Sequence, residues 1–178
     1  MDEIVKAALK KWPNVPDCRG WLALDARGDW YMRDDRVQAA GGFPRVKGSR
    51  IQHDKLIAFI ERNYECDESG AWLFQNGPQR VYVELEAAPW VWRIASADLA
   101  VASHTGLTTT VRGAWLDEGG RLFLDTPLGL GLVHTQDMNE AARAVESGLW
   151  QPQPMAFAQM ATQFGHVLSP QAQSLGRD

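Results

Sequence analysis

Three turns of the form Asp-x-x-Gly punctuate the chain, at Asp25–Gly28, Asp67–Gly70 and Asp117–Gly120, each between short apolar runs. A glycine there supplies the positive φ that a tight reversal needs, so each marks a β-hairpin. Trp21-Leu22-Ala23-Leu24 and Trp30-Tyr31-Met32 flank the first. Ala71 to Gln75 leaves the second, and a Thr-rich strand over 107–116 with a return over 121–125 flanks the third. Helical spacing appears between and around these hairpins. Ile4, Val5, Ala8, Leu9 and Trp12 form one apolar stripe, stopped by Pro13. Leu56, Ile57, Phe59 and Ile60 form a second behind Asp54 as N-cap, and Met138, Ala141, Ala142 and Val145 a third with Gly148 as C-cap. Met155, Phe157, Met160 and Phe164 give a fourth. The chain therefore reads as α+β, two related hairpin-plus-helix units around antiparallel sheets.

The remaining stretches complete that reading. Val81 to Glu86 alternates with period two, which points Val81, Val83 and Leu85 inward and Tyr82, Glu84 and Glu86 outward. Residues 37–47 carry two glycines and a proline and read as an inserted loop. Residues 127–133 form a Gly/Leu segment, Gln151-Pro152-Gln153-Pro154 a linker, and disorder is expected from Ser169 onward. The organisation is then an N-terminal helix over 1–16, a first unit over 17–64 and a central hairpin over 65–94 that joins the units. A second unit over 95–148 and a C-terminal helix with a disordered tail over 149–178 follow.

Charge excludes one class of partner. The 178 residues carry 18 basic and 22 acidic side chains, interspersed along the chain, and a net charge of −4. Affinity for DNA or RNA through phosphate neutralisation needs a clustered basic surface, which this pattern lacks. Cys18 and Cys66 are far apart and have no Cys/His ligand spacing around them, so they read as unrelated small apolar residues in a reducing compartment. Acidic residues stand where a signal peptide would be basic, and no apolar run approaches the ~20 residues that span a bilayer. These features place the chain in the cytoplasm and away from membranes.

The outer parts of the chain can be overlaid. Asp25 lies 28 positions before His53 and Asp117 lies 17 before His134, and the 11 residues 37–47 account for the difference. Each histidine follows an isoleucine or valine and opens a helix, whereas the middle hairpin repeats the turn alone. The progression Asp25-x-x-Gly28-x-Trp30-Tyr31, Ile51-x-His53-x-x-Leu56, Asp67-x-x-Gly70-x-Trp72-Leu73 and Val83-Glu84-x-x-x-x-Pro89-Trp90-Val91 resembles the DUF1285 proteins, conserved hypothetical proteins of proteobacteria. The resemblance spans about residues 20–146. It implies two related α+β units, the second similar to pleckstrin-homology-like folds, and a cleft between units that takes a nucleotide-like ligand in a signalling role. The N-terminal helix, residues 37–47 and the C-terminal Gln/Met-rich tail depart from it.

No catalytic signature is present. Gly129-Leu130-Gly131 lacks the third glycine of a dinucleotide loop, no G-K-[ST] or G-x-S-x-G occurs, and the His53-Asp54 doublet has no companions at metal-ligand spacing. The expectation is thus no catalytic residue, no metal and no cofactor. Two features invite a ligand. The corner Gln75-Asn76-Gly77-Pro78-Gln79-Arg80 offers amides and a guanidinium, groups that recognise a base, a carboxylate or a phosphate, though its dipeptides also suit a solvated turn. Trp90-Val91-Trp92-Arg93 sets two indoles on one face, for stacking on a ligand or for packing. The first expectation is a non-enzymatic small-ligand-binding or regulatory protein using Gln75, Asn76, Gln79, Arg80, Trp90, Trp92, His53 and His134. A protein-interaction or homodimerisation module whose surface is formed by the tryptophans and the C-terminal helix is an alternative, and a hydrolase with His53 or His134 as base another.

Overall fold

The computed structural model describes residues 1–176, which fall into two units. Unit 1 takes Met1–Asp25, Asp29–Glu86 and the chain from His166 onward; unit 2 takes Ala26–Gly28 and Ala87–Gly165. The central stretch 65–94 is therefore shared, its first part in unit 1 and its last in unit 2.

Unit 1 begins with α1 (Glu3–Lys11), β1 (Cys18–Leu24), β2 (Trp30–Met32) and α2 (Asp35–Ala40). It continues with β3 (Ser49–Arg50), α3 (Asp54–Arg62), β4 (Tyr64–Cys66), β5 (Trp72–Asn76) and β6 (Gln79–Leu85). The six strands form one sheet in the order β3-β2-β1-β6-β5-β4, with β1 and β6 parallel at its centre. Trp30, Tyr64 and Trp72 interlock in its core, the first two edge-on at 5.2 Å. The stretch read as an inserted loop holds most of α2, whose N-cap Asp34 accepts from the Val37 N–H. Its glycines and proline fall beyond that helix, so they end it rather than prevent it. The cap of α3 is His53, whose Nδ1 accepts from the Leu56 N–H, and Asp54 is the first helical residue.

Unit 2 contains β7 (Trp90–Ile94), β8 (Val101–Ser103), β9 (Thr108–Thr109), β10 (Gly113–Leu116), β11 (Leu122–Thr126) and β12 (Gly129–Val133). A 3-10 turn (Thr135–Asp137), α4 (Met138–Glu146), β13 (Gln153–Pro154) and α5 (Phe157–Phe164) follow. Its sheet runs β13-β10-β11-β12-β7-β8-β9, again with the first and sixth strands of the unit, β7 and β12, parallel at the centre. The Gly/Leu segment is β12. The Gln/Pro segment read as a linker is β13, which adds to the edge of β10, a place where prolines are tolerated. Ala87, Ala88, Phe123, Leu130, Leu132 and Met160 form the core.

The duplication is thus real in topology but its correspondence differs from the sequence overlay. Adding 50 to the residue numbers of the β4-β5-β6 registers yields those of β10-β11-β12: Cys66↔Trp72 maps onto Leu116↔Leu122, and Leu73↔Tyr82 onto Phe123↔Leu132. The middle hairpin, not the first, matches the third. All three turns share one geometry, with the Asp N–H bonded to the carbonyl four residues on and Gly φ between +75° and +83°. The turn motif alone cannot discriminate between them.

After α5 the chain returns to unit 1, where α6 (Pro170–Leu175) is capped by Ser169. This corrects the disorder expected from Ser169, although residues 177 and 178 lie outside the described residues. The returning segment also explains why Tyr82 and Glu84 are buried, at 4% and 3% exposure, against the outward placement that strand alternation predicts.

Candidate functional site

The β5-β6 hairpin carries the polar corner. Gln75 faces Arg80 and Asn76 faces Gln79 across a Gly77-Pro78 turn in which Gly77 has φ +57°. Gln75 is buried, and its amide donates to the Gly77 carbonyl at 3.0 Å, closing the turn from within. The Gln79 amide donates to the Pro16 carbonyl at 3.2 Å. Asn76 and Arg80 are exposed, and Arg80 lines a polar hollow with Glu65, Asp67 and Glu68.

The two indoles lie in unit 2, stacked at 6.0 Å and buried, with their N–H groups donated to the Leu128 and Leu124 carbonyls. A Cβ on Gly131 would collide with both, so that glycine is what lets them lie across β12. Trp90 and Trp92 act here as core. His134 is buried beside them, its N–H on the Trp92 carbonyl and its Nδ1 accepting from Gln136 N–H. His53 is exposed in unit 1 and also spends Nδ1 on a helix start. The structure therefore gathers Gln75, Asn76, Gln79 and Arg80 on one hairpin and Trp90, Trp92 and His134 on the parallel β7-β12 pair, with His53 at the start of α3.

A groove that no single segment announces lies in unit 1, between α3 and the sheet. Its volume is about 310 Å³, and its lining includes Trp21, Phe59 and Phe74 with Met32, Leu56 and Asn76. Phe59 meets Phe74 edge-on at 5.4 Å, and Ile60 is buried, so α3 is held firmly over β5. The nine-residue helix leaves the β1-β2 side open, where Trp21 and Met32 are 39% and 49% exposed. Cys18 also reaches the groove, and burial pushes its thiol up, so it is protonated at neutral pH. The helical stripe foretold Leu56, Phe59 and Ile60. Cys18, Trp21, Met32, Asn76 and Val81 come from four separate strands, and the parallel β1-β6 pairing that assembles them has no local signature.

Several charged groups are occupied structurally. Arg93 clasps Asp137 through two bonds of 2.7 and 3.1 Å, and this pairing holds the carboxyl below its usual range. Lys47 bridges the buried Asp25 at 3.0 Å and Glu86 at 2.9 Å. Among the described residues, no group of His, Cys, Asp or Glu side chains could hold a metal ion.

The fold and groove define a two-unit α+β protein with one repeated strand order and an apolar recess in its first unit. Over residues 1–174 the sequence matches the family described as a protein of unknown function (DUF2946), and the chain belongs to that family. Solved structures similar to it include a DUF1285 family protein from Silicibacter pomeroyi DSS-3, 14% identical, with a TM-score of 0.48 over 79% of this chain and 83% of that one. A DUF1285 family protein from Shewanella baltica OS155 is 16% identical, with a TM-score of 0.46 over 69% and 91%. These matches are to the same DUF1285 proteins that the sequence distantly resembles. No curated protein matches the chain.

Proposed function

We propose that this protein is a non-enzymatic small-ligand-binding protein with a regulatory role, and that its ligand sits in the groove beneath α3. The observation that carries this reading is a recess of about 310 Å³ walled by three aromatic rings, open at Trp21 and furnished with the Asn76 amide. Ligand sites have this make-up, an apolar enclosure with few orienting polar groups. The lining holds no charged side chain. The ligand is therefore flat and uncharged where it enters, a nucleobase-like heteroaromatic ring that slides against Trp21 and meets Asn76 with its polar edge. The phosphates of a nucleotide would stay outside the recess.

Thermal denaturation with a panel of nucleobases, nucleosides and nucleotides tests it. A ligand at a hundred times its Kd stabilises the fold by about 2.7 kcal/mol, and Trp21→Ala and Asn76→Ala remove that gain while Arg80→Ala, outside the lining, keeps it. A panel without any stabiliser, or stabilisation unchanged in Trp21→Ala and Asn76→Ala, sinks the reading. The half-exposed Trp21 and Met32 also favour a second reading, contact between two copies through the groove mouth. Light scattering on wild type and Trp21→Ala separates the two, since a concentration-dependent dimer lost in the variant supports the latter.

A further inference from the structure

On the face of the unit 1 sheet away from α3, the chain's own residues 166–175 lie as a docked peptide. Their attachments are specific and mostly polar. The Val167 N–H donates to the Gly70 carbonyl at 2.9 Å, and the Leu168 carbonyl accepts from the Leu85 N–H at 2.8 Å. Val167 packs on Ala71, Leu73 and Tyr82. Glu84, 3% exposed, accepts from the Ser169 hydroxyl with one oxygen and from the Gln171 N–H at 3.0 Å with the other. The Gln171 side chain bonds Gln38 at 2.8 Å, in space that exists because residue 20 has no Cβ.

Burying a carboxylate is costly, and burial does push the Glu84 carboxyl upward. A sheet face that served only as covered core would hold an apolar residue there. Glu84 instead presents two acceptors to one hydroxyl and one amide, the pattern of a recognition site for a peptide with serine opening a helical turn. The occupant itself is weakly held together, since α6 has six residues and Leu175 is 72% exposed. A helix this short does not persist without its dock.

We propose that this face is a peptide-docking surface, filled in cis by residues 166–175, and that this strap detaches as a unit while the sheet beneath stays folded. The surface then accepts a segment of the same chemistry in trans, an apolar residue two positions before a serine that opens a helical turn. The proposal concerns the face away from the groove and is independent of the ligand placed there.

Two measurements on the full chain test it. In wild-type hydrogen exchange, the Leu85, Val167 and Gln171 amides exchange together at least about tenfold faster than the β1-β6 ladder, because one opening frees all three. Binding of a fluorescein-labelled synthetic peptide of residues 166–176 is then followed by anisotropy. Ser169→Ala in the protein weakens the resident strap but leaves the surface intact, so the peptide binds at least about tenfold tighter than to wild type. Adding Glu84→Met, a side chain of similar length without an oxygen to accept from Ser169 or Gln171, reverses that gain about tenfold. The proposal is overturned if the three amides exchange only with the ladder, if Ser169→Ala takes up no peptide, or if adding Glu84→Met leaves uptake unchanged. The wild-type exchange data decide the matter even where a variant fails to fold.

Discussion

Two histidines with ring nitrogens shut away from solvent set how the protein answers acid. His166 and His104 are held down from the ordinary 6.5 to about 4 and about 3, in both cases by burial. In the unfolded chain each takes up its proton near pH 6.5, so below that value the unfolded state binds more protons and stability falls. The loss from His166 runs from about pH 6.5 to 4 and amounts to roughly 3 kcal/mol; above pH 7 its stabilising contribution is fully present. Urea midpoints measured from pH 7 to 4.5 are expected to fall, and His166→Leu to flatten part of the slope. A midpoint that holds constant over that window counts against this assignment. Residue roles of this kind were poorly legible in the sequence. The fourth helical stripe foretold a buried Met160, but nothing local distinguished His53, an exposed helix cap, from His104, whose Nε2 is buried in unit 2 and whose Nδ1 accepts from the Val91 N–H. Capping rules also put Asp54 one position too early, because Ser, Thr, Asp and Asn lead the statistics and histidine does not.

At the scale of elements, the hairpins were the most legible feature and their partners the least. In each Asp-x-x-Gly turn one carboxylate oxygen accepts backbone N–H groups within the turn, while the other finds a partner that differs: Lys47 for Asp25, Tyr82 for Asp67 and Arg121 for Asp117. Asp67→Ala removes both halves and is expected to cost about 2 kcal/mol, whereas Asp67→Asn, which retains one acceptor oxygen for the turn, costs about half that. Chemical denaturation resolves the difference, and equal losses for the two variants would show that the turn bonds carry none of it. Strand alternation mis-assigned Tyr82 and Glu84 for a physical reason. Period two reports a half-buried strand, and β6 is covered on both faces, the second by a segment more than eighty residues downstream. The same limit hid β13, whose Pro154 argues against a strand unless it lies at an edge.

Across the whole molecule, the repeated strand order was legible only as a suspicion of duplication. The sequence shows that hairpins recur, but which one matches which is fixed by β1-β6 and β7-β12, parallel pairs whose strands are far apart in the chain. Unit 1 is also discontinuous, since its sheet ends at β6 while its cover arrives after unit 2. A fragment of residues 1–86 is therefore expected to lose protection and to self-associate through the uncovered Ala71, Leu73 and Tyr82 face. Circular dichroism and sedimentation of that fragment, against the intact chain, provide the check. A monomeric fragment as stable as the parent would mean that the strap contributes little.

The late arrival of that cover matters while the protein is being made. Translation proceeds from the N-terminus, and every strand of the first sheet leaves the ribosome before residues 166–175 exist. The second unit, whose parallel pair joins strands closer in sequence, has all its segments available earlier relative to its own completion. Unit 1 must wait with one face bare, its carboxylate at Glu84 still hydrated, until the strap emerges to close over it. The nascent chain thus passes through an interval in which a surface suited to peptides is open, and any segment of matching chemistry can occupy it first.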